Sequence, residues 1–199
     1  MRRIVGVLLA AGSSSRFGTN KLLVPLANGM PLAVAAASRL IATVPESIAV
    51  VRPGDAALAT LLGKQGLCIV EGVDAHWGMG HSLAAGIAAA SKADAWLISL
   101  ADMPAIKLLT YVGLIERLQS GSQLVVPFHA DQRGHPVGFA AKFGAELLSL
   151  TGGAGARDLF ARHAASLTRF DVDDPGILFD VDTPANLAAQ FPQVCGLTS

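Results

Sequence analysis

The stretch that decides the fold is Ile4-Val5-Gly6-Val7-Leu8-Leu9-Ala10-Ala11, which runs into Gly12-Ser13-Ser14-Ser15-Arg16-Phe17-Gly18 and, three residues later, Lys21. The apolar run is typical of a buried strand. The small residues after it let backbone N–H groups surround an anion, and Arg16 and Lys21 add positive charge. The pattern therefore predicts a strand that ends in a loop binding the phosphates of a nucleotide.

The glycine spacing separates this loop from two better-known phosphate-binding loops. A P-loop has four residues between its glycines, followed at once by Lys and then Ser or Thr. Here five residues separate Gly12 from Gly18, and two more precede Lys21. The dinucleotide fingerprint G-x-G-x-x-G also fails, because Gly12 has no glycine partner at that spacing.

Composition narrows the class of protein. With 199 residues, 52% of them hydrophobic and 15% charged, the chain suits a single domain spanning 1–199 with a frayed tail. The 15 basic and 15 acidic residues cancel, so we expect no nucleic-acid partner. No apolar run reaches the ~20 residues of a membrane span, so we expect no membrane partner.

The cysteines and the first residues of the chain bear on its cellular compartment. Cys68 and Cys195 show no metal-binding or redox spacing, which favours the reduced cytoplasm. A secretory signal is the competing interpretation, with Met1–Arg3 as its charged region and Ile4–Ala11 as its apolar region. The basic segment that follows and the low cysteine content favour the cytoplasmic interpretation.

Apolar runs alternate with helix-like stretches along the chain. Candidate strands are Arg3–Ala11, Ser47–Val51, Leu67–Val70, Ala95–Leu100 and Gln123–Pro127. Candidate helices are Pro31–Ala42, Asp55–Leu62, His81–Ser91, Ile106–Gln119, Phe143–Leu148, Ala156–Ala164 and Pro184–Phe191. This alternation predicts an α/β fold, a doubly wound and mostly parallel sheet with helices on both faces. Ligands of such sheets bind beyond the carboxyl ends of the strands.

Two aspartates are candidate metal ligands. Asp102 follows the candidate strand Ala95–Leu100, where a carboxylate can hold Mg²⁺ bound to substrate phosphates. Asp182 precedes a candidate helix and offers a second ligand, while Asp180 is interpreted as structural. The alternatives are a turn residue for Asp102 and an ordinary helix cap for Asp182.

Three more residues are candidates for substrate contacts. Ser82, near the start of a glycine-rich helix, either caps that helix or hydrogen-bonds a base. His135 is presented between Gly134 and Pro136, or else is a surface histidine in a turn. Arg157 either clamps a phosphate or pairs with a neighbouring acidic residue. His76 and His81 do not share a helix face, which excludes a zinc pair.

Several segments, taken in order, resemble the MobA-like nucleotidyltransferases, and within them the molybdenum cofactor cytidylyltransferases. The segments are Leu8–Gly18 with Lys21 and Pro25, Gly78…Ser82-Leu83…Gly86, Ala101–Pro104, Arg133–Pro136 and Asp180–Pro184. The resemblance spans Ile4 to Phe191. It implies a Rossmann-like nucleotidyltransferase fold and transfer of CMP from CTP to a molybdopterin-type acceptor, with Mg²⁺ as cofactor and pyrophosphate as leaving group.

The resemblance also assigns roles to residues. Those assigned to nucleotide binding are Leu9, Ala10, Ala11, Gly12, Ser13, Ser14, Ser15, Arg16, Lys21, Ser82 and Asp102. Those assigned to catalysis are Arg16, Lys21 and Asp102. Those assigned to the acceptor are His135, Pro136 and Arg157, and those assigned to magnesium are Asp102 and Asp182. The implied recipient of the product is a molybdenum-dependent oxidoreductase.

The identity of the substrates stays open at this point. Ala10-Ala11-Gly12 and Gly134-His135-Pro136 resemble the cytidylyl branch, whereas guanylyl enzymes tend to have Ala-Gly-Gly and Gly-Gln-Pro. His81 departs from the small residue common before the serine, so it can reshape the base pocket or reach the acceptor. The alternatives are GTP or another NTP with a different phosphorylated acceptor, a pterin-binding maturation module without turnover, and a redox enzyme on the same scaffold.

Overall fold

The computed structural model describes residues 1–12, 17–153 and 156–190. The strands are β1 (Ile4–Leu9), β2 (Ser47–Val51), β3 (Cys68–Glu71), β4 (Ala95–Leu100), β5 (Leu124–His129), β6 (Gln132–Arg133), β7 (Val137–Ala140) and β8 (Leu167–Asp171). The α-helices are α1 (Leu32–Thr43), α2 (Ala56–Gly63), α3 (Met79–Ala89), α4 (Leu108–Gln119), α5 (Gly144–Leu148), α6 (Arg157–Arg162) and α7 (Pro184–Gln190). The predicted frayed tail falls in 191–199, outside the described residues.

All strands belong to one mixed sheet in the order β3-β2-β1-β4-β7-β5-β6, and β8 pairs with β5 outside this path. Strand β1 is parallel to both β2 and β4, and β2 is parallel to β3. Strand β7 is antiparallel to both β4 and β5. The predicted mostly parallel sheet is therefore confirmed, with β7 as a reversed strand near its middle.

Strands β6, β7 and β8 are missing from the sequence prediction. Strand β6 has two residues, too few for a periodic pattern. Strand β7, Val-Gly-Phe-Ala, is fully buried but short and contains a glycine, which weakens a strand signal. Strand β8, Leu-Thr-Arg-Phe-Asp, is partly exposed along its length and carries two charged residues, so it lacks the apolar run of β1.

Alternate residues of the central strands enter two apolar clusters on opposite faces of the sheet. Leu8 and Leu97 pack with side chains of α1 and α4, such as Leu40 and Leu114. Val7 and Trp96 pack in the second cluster, with Ile87 of α3 and Leu147 of α5. Because side chains alternate across a strand, this division is the one expected for a sheet covered by helices on both faces.

Gly86 lets α3 lie close to the sheet. A Cβ atom at this position would lie 2.6 Å from Cγ1 of Val7 and 3.1 Å from Cγ2 of Val50. The glycine therefore brings the start of α3, which carries Ser82, close to the carboxyl end of β1.

Candidate active site

A cavity of about 740 Å³ opens where β1, β2 and β4 end. Residues 9–12 line it, together with Lys21, Ser82 and Asp102. The structure therefore brings Leu9, Ala10, Ala11 and Gly12 of the predicted phosphate loop to the same space as the more distant candidates. Ser13, Ser14, Ser15 and Arg16 lie outside the described residues, so their roles stay predictions.

Lys21 lies at the start of a 3-10 turn, Lys21–Leu23, that begins after Asn20. The Asn20 side chain accepts a hydrogen bond from Leu22 N at 3.2 Å and donates one to Asp55 Oδ2 at 2.8 Å. These two hydrogen bonds of Asn20 fix the start of the turn. The buried Lys21 side chain then reaches the residues that follow β4 and those that precede α7. The position of the ammonium group is thus set by neighbours on both sides of the cavity.

The Lys21 ammonium bridges two of the candidate carboxylates. Its Nζ atom donates to Asp102 Oδ2 at 2.9 Å and to Asp182 Oδ1 at 2.8 Å. Burial lowers the Lys21 pKa, but the charges and hydrogen bonds of the two aspartates outweigh that effect and hold the pKa above its ordinary value. Lys21 is therefore a fixed positive charge at neutral pH.

Asp102, Asp180 and Asp182 form a carboxylate cluster, in which one oxygen of each lies within 4.8 Å of the others. The backbone N–H of Val181 donates to the carbonyl oxygen of Asp102 at 2.9 Å, which holds the Asp180–Asp182 segment against the end of β4. Val181 is buried, and the residues on either side of it present their carboxylates to the same site. Sequence analysis interpreted Asp180 as structural, but the Asp-x-Asp spacing was a signal for its place in this cluster.

The alternative interpretation of Asp182 as a helix cap loses support, whereas Asp102 does lie in a turn that follows β4. Thr183, not Asp182, caps α7, since its Oγ1 accepts from Asn186 N at 3.1 Å. The Asn186 side chain accepts in return from Thr183 N at 3.0 Å. Within the described residues, the Asp102 carboxylate accepts from Lys21 rather than from a backbone N–H group that follows it.

Ser82 and His81 occupy the first turns of α3 but face different surroundings. Ser82 is buried and lines the cavity, and no side-chain cap hydrogen bond forms at the start of this helix, so the capping alternative is wrong. His81 accepts a hydrogen bond at Nδ1 from Gly152 N at 3.2 Å. It holds the segment before α6 in place, and it does not line the cavity that contains Ser82.

A second cavity, of about 470 Å³, adjoins the first. Leu9, Met79 and Gly153 line both cavities. The predicted acceptor residues His135 and Arg157 line the second one, whereas Pro136, which follows a cis peptide bond, is buried and does not. The structure thus places the candidate acceptor residues beside the candidate nucleotide residues.

His135 is neutral at physiological pH. Burial lowers its pKa to about 4, with a further lowering by the charge of Arg133 and an opposing effect from Asp180. Its Nδ1 atom is buried and has no hydrogen-bond partner within the described chain. A buried polar atom of this kind normally has a partner, so this nitrogen is available to a bound molecule.

Sequence analysis missed two arginines of this region. Arg52 lines the first cavity and follows β2 directly, so the rule that selected Asp102 at a strand end applied to it as well. Arg133 lines the second cavity from β6, a strand too short to be seen in the sequence.

Residues 6–167 match the family described as the MobA-like NTP transferase domain. The chain belongs to this family. It is 30% identical to the nicotine blue oxidoreductase of Paenarthrobacter nicotinovorans, an alignment that covers 90% of this chain and 92% of that protein. It is 29% identical to the purine catabolism protein PucB of Bacillus subtilis (strain 168), covering 91% of this chain and 92% of that one.

Several solved structures share the fold. A nucleotidyl transferase from Methanothermobacter thermautotroptrophicus superposes with a TM-score of 0.81 at 21% identity, covering 96% of this chain and 96% of that one. Rv0371c from Mycobacterium tuberculosis H37Rv superposes with a TM-score of 0.82 at 26% identity, covering 96% of this chain and 98% of that one. The Rossmann-like nucleotidyltransferase fold expected from the resemblance is therefore confirmed. Across the described residues, every helix is too short or too polar to cross a membrane.

Proposed function

We propose that the protein transfers CMP from CTP to a molybdopterin-type cofactor, with Mg²⁺ held by Asp102 and Asp182. The observation that carries this proposal is the junction of the two cavities at Leu9, Met79 and Gly153, beside the carboxylate cluster. Two substrates bound in adjoining cavities meet at such a junction, as a group transfer requires.

The carboxylate cluster fits a hard divalent cation. Mg²⁺ prefers oxygen ligands and is commonly held by one or two carboxylates together with substrate phosphates. Asp102, Asp180 and Asp182 present suitable oxygens within 4.8 Å of one another. When bound, the ion would neutralise charge on the nucleotide phosphates and orient them. We include Asp180 among the residues that hold it.

The first cavity is the proposed nucleotide site. Backbone groups at residues 9–12 lie at its wall, and Ser82 lies at the start of α3, where we place the base. Lys21 supplies a positive charge that can pass to the triphosphate, and Arg16 is proposed to act with it. Ala10-Ala11-Gly12 is the basis for preferring CTP to GTP, through the resemblance to the cytidylyl branch.

The second cavity is the proposed acceptor site, with His135, Pro136 and Arg157 as its assigned residues. An oxygen of the acceptor's terminal phosphate forms a bond to the α-phosphorus of CTP, and the bond from that phosphorus to the bridging oxygen of pyrophosphate breaks. The acceptor supplies the nucleophile, so the protein needs none. Its contribution is positioning and neutralisation of negative charge.

The experiment is to incubate the protein with Mg²⁺, purified molybdopterin and each NTP separately, and to detect the dinucleotide product and pyrophosphate. We expect product with CTP and a loss of about a thousandfold or more in Asp102→Asn, because a charged ligand of the phosphate-bound ion is replaced by a neutral amide. Glu116→Gln is the matched control, since it removes one exposed carboxylate of α4 outside both cavities. Product with GTP alone would refute the CTP assignment, and full turnover in Asp102→Asn would refute the metal assignment.

A redox activity is the second candidate, favoured by the similarity to the nicotine blue oxidoreductase. Titration with NADH and NADPH separates the two candidates, since oxidation of either with a pterin or dye acceptor would support the redox alternative. Molybdopterin binding without product from any NTP would instead support a maturation module. In the proposed function, the protein acts in the cytoplasm and passes its product to a molybdenum-dependent oxidoreductase.

A further inference from the structure

Two arginines line the second cavity, one from a strand and one from a helix. Arg133 belongs to β6 and Arg157 begins α6. The Arg133 guanidinium lies over the ring of Phe160, with its carbon 4.0 Å from the ring centroid. Phe160 is itself on α6, so this stacking fixes the Arg133 side chain against the helix that carries Arg157. The two cationic groups therefore face one space.

Neither guanidinium has an acidic partner among the described residues. On α6, Arg162 lies 2.8 Å from Glu146, and no ion pair joins Arg157 to its neighbour Asp158 among the described residues. Burial, and after it the charge of Arg157, lowers the pKa of Arg133, which indicates that the two cations are close together. Arginine stays charged under such conditions, so the cavity wall carries two positive charges that the protein does not balance.

The remaining walls of the cavity are apolar and aromatic. They are formed by Leu83, Ile98, Val137, Phe139 and Phe160, among others. Both arginines are exposed to solvent at the cavity wall, so an anion that enters can form charge-assisted hydrogen bonds with them beside the apolar surface. A planar ring would cover the apolar walls while the anionic group meets the arginines.

His135 connects the arginines to the site of chemistry. It lies close enough to Arg133 and to Asp180 for both charges to affect its pKa, and Asp180 belongs to the carboxylate cluster. The ring is neutral, so it adds no charge, but its unpartnered Nδ1 offers one more hydrogen-bonding atom.

We propose that Arg133 and Arg157 form a two-guanidinium clamp for the phosphate monoester of the acceptor, with the acceptor's ring against the apolar wall. This inference rests on the proposed function, in which the second cavity takes the acceptor. Two guanidinium groups present paired N–H donors that match phosphate oxygens, and their charges match a dianion better than a monoanionic carboxylate. The clamp holds the attacking phosphate in position, so Arg133 and Arg157 are specificity-determining residues for a phosphorylated acceptor.

The test uses phenyl phosphate as a probe, because it combines a ring and a phosphate monoester without depending on the identity of the acceptor. Its dissociation constant is measured by calorimetry for the wild-type protein, Arg133→Gln and Arg157→Gln. We expect each substitution to weaken binding at least about tenfold, as the loss of a charge-assisted contact predicts. Arg133→Lys keeps the positive charge but loses the paired N–H donors of the guanidinium. The affinity of this variant for phenyl phosphate should fall between those of wild type and Arg133→Gln.

Two control variants locate the bound probe. Arg162→Gln removes the same charge from the same helix but outside the cavity, and should bind like wild type. Lys21→Met tests for binding in the first cavity and should also leave phenyl phosphate affinity unchanged. Equal affinity in wild type and Arg133→Gln, or a loss confined to Lys21→Met, would overturn the clamp. Unchanged melting transitions of the variants ensure that a loss of binding is not a loss of folding.

Failure of the clamp and failure of the proposed function give different results. If CTP and molybdopterin yield product with the same KM for molybdopterin in Arg133→Gln as in wild type, the clamp is wrong and the proposed function stands. If phenyl phosphate binding depends on both arginines but molybdopterin yields no product with any NTP, the clamp stands with a different phosphorylated acceptor.

Discussion

The Lys21 ammonium lies 2.9 Å from Asp102 Oδ2, between this aspartate and the one before α7. It therefore occupies the space between carboxylates that we propose as the magnesium site. A divalent ion and the ammonium group would compete for the same oxygens. We infer that Lys21 neutralises the cluster when no metal is bound and moves to the nucleotide phosphates when the metal arrives with them.

Lys21→Met should have opposite effects on metal binding and on nucleotide binding. Without the competing cation, the carboxylate cluster should bind Mn²⁺ alone about tenfold more tightly, because its negative charge is no longer compensated. The affinity for CTP should fall, since the triphosphate loses a partner. Manganese electron paramagnetic resonance measures the first effect and calorimetry the second. Lys92→Met, an exposed change away from both cavities, is the control, and equal Mn²⁺ affinity in wild type and Lys21→Met would refute the competition.

Asp180→Asn tests the carboxylate that sequence analysis interpreted as structural. If Asp180 helps to hold the ion, the substitution should weaken Mn²⁺ binding about tenfold and slow product formation, because one charged ligand becomes a neutral amide. The melting transition should change little, as the side chain is exposed. A purely structural role predicts the reverse, a lower melting temperature with unchanged metal affinity.

The lowered pKa of His135 predicts that the protein loses stability in mild acid. Its folded-state pKa is about 4, below the ~6.5 of an unfolded histidine, so the unfolded state binds more protons between these values. The contribution of the neutral ring is complete above pH ~6.5 and is lost as the pH falls toward 4, by roughly 2–3 kcal/mol. Urea unfolding from pH 7.5 to 4.5 measures it. His135→Gln should flatten this part of the profile, whereas His76→Gln, on an exposed ring, should keep it.

Gly86→Ala should destabilise the protein despite the higher helix propensity of alanine. The new methyl group would lie 2.6 Å from Val7 Cγ1 in the buried core, and such overpacking costs about 1–3 kcal/mol. Gly63→Ala at the end of α2 is the matched control, since its methyl group would meet nothing closer than Ile69 at 3.8 Å. Thermal unfolding should show a lower midpoint for Gly86→Ala only.

Much of the fold follows from local pattern. The apolar runs of β1, β2 and β4 and the helices between them are visible in the sequence, because a strand buried on both faces needs apolar residues at every position. The location of the candidate site residues follows from local pattern too, because the parallel strands of such a sheet place their carboxyl ends at one edge. This reasoning made Asp102 and the Leu9–Gly12 segment candidates, and the resemblance to the MobA-like family assigned their roles.

The sequence by itself determined the α/β class, the candidate phosphate-loop segment and the polar residues at strand ends, because these depend on neighbours along the chain. Only the tertiary structure decided that β7 is reversed between β4 and β5, which brings His135 beside the ends of the parallel strands. Only it joined Lys21 to Asp102 and set Arg133 opposite α6. Such contacts link residues far apart in sequence, so they depend on strand order and packing, which no local periodicity encodes.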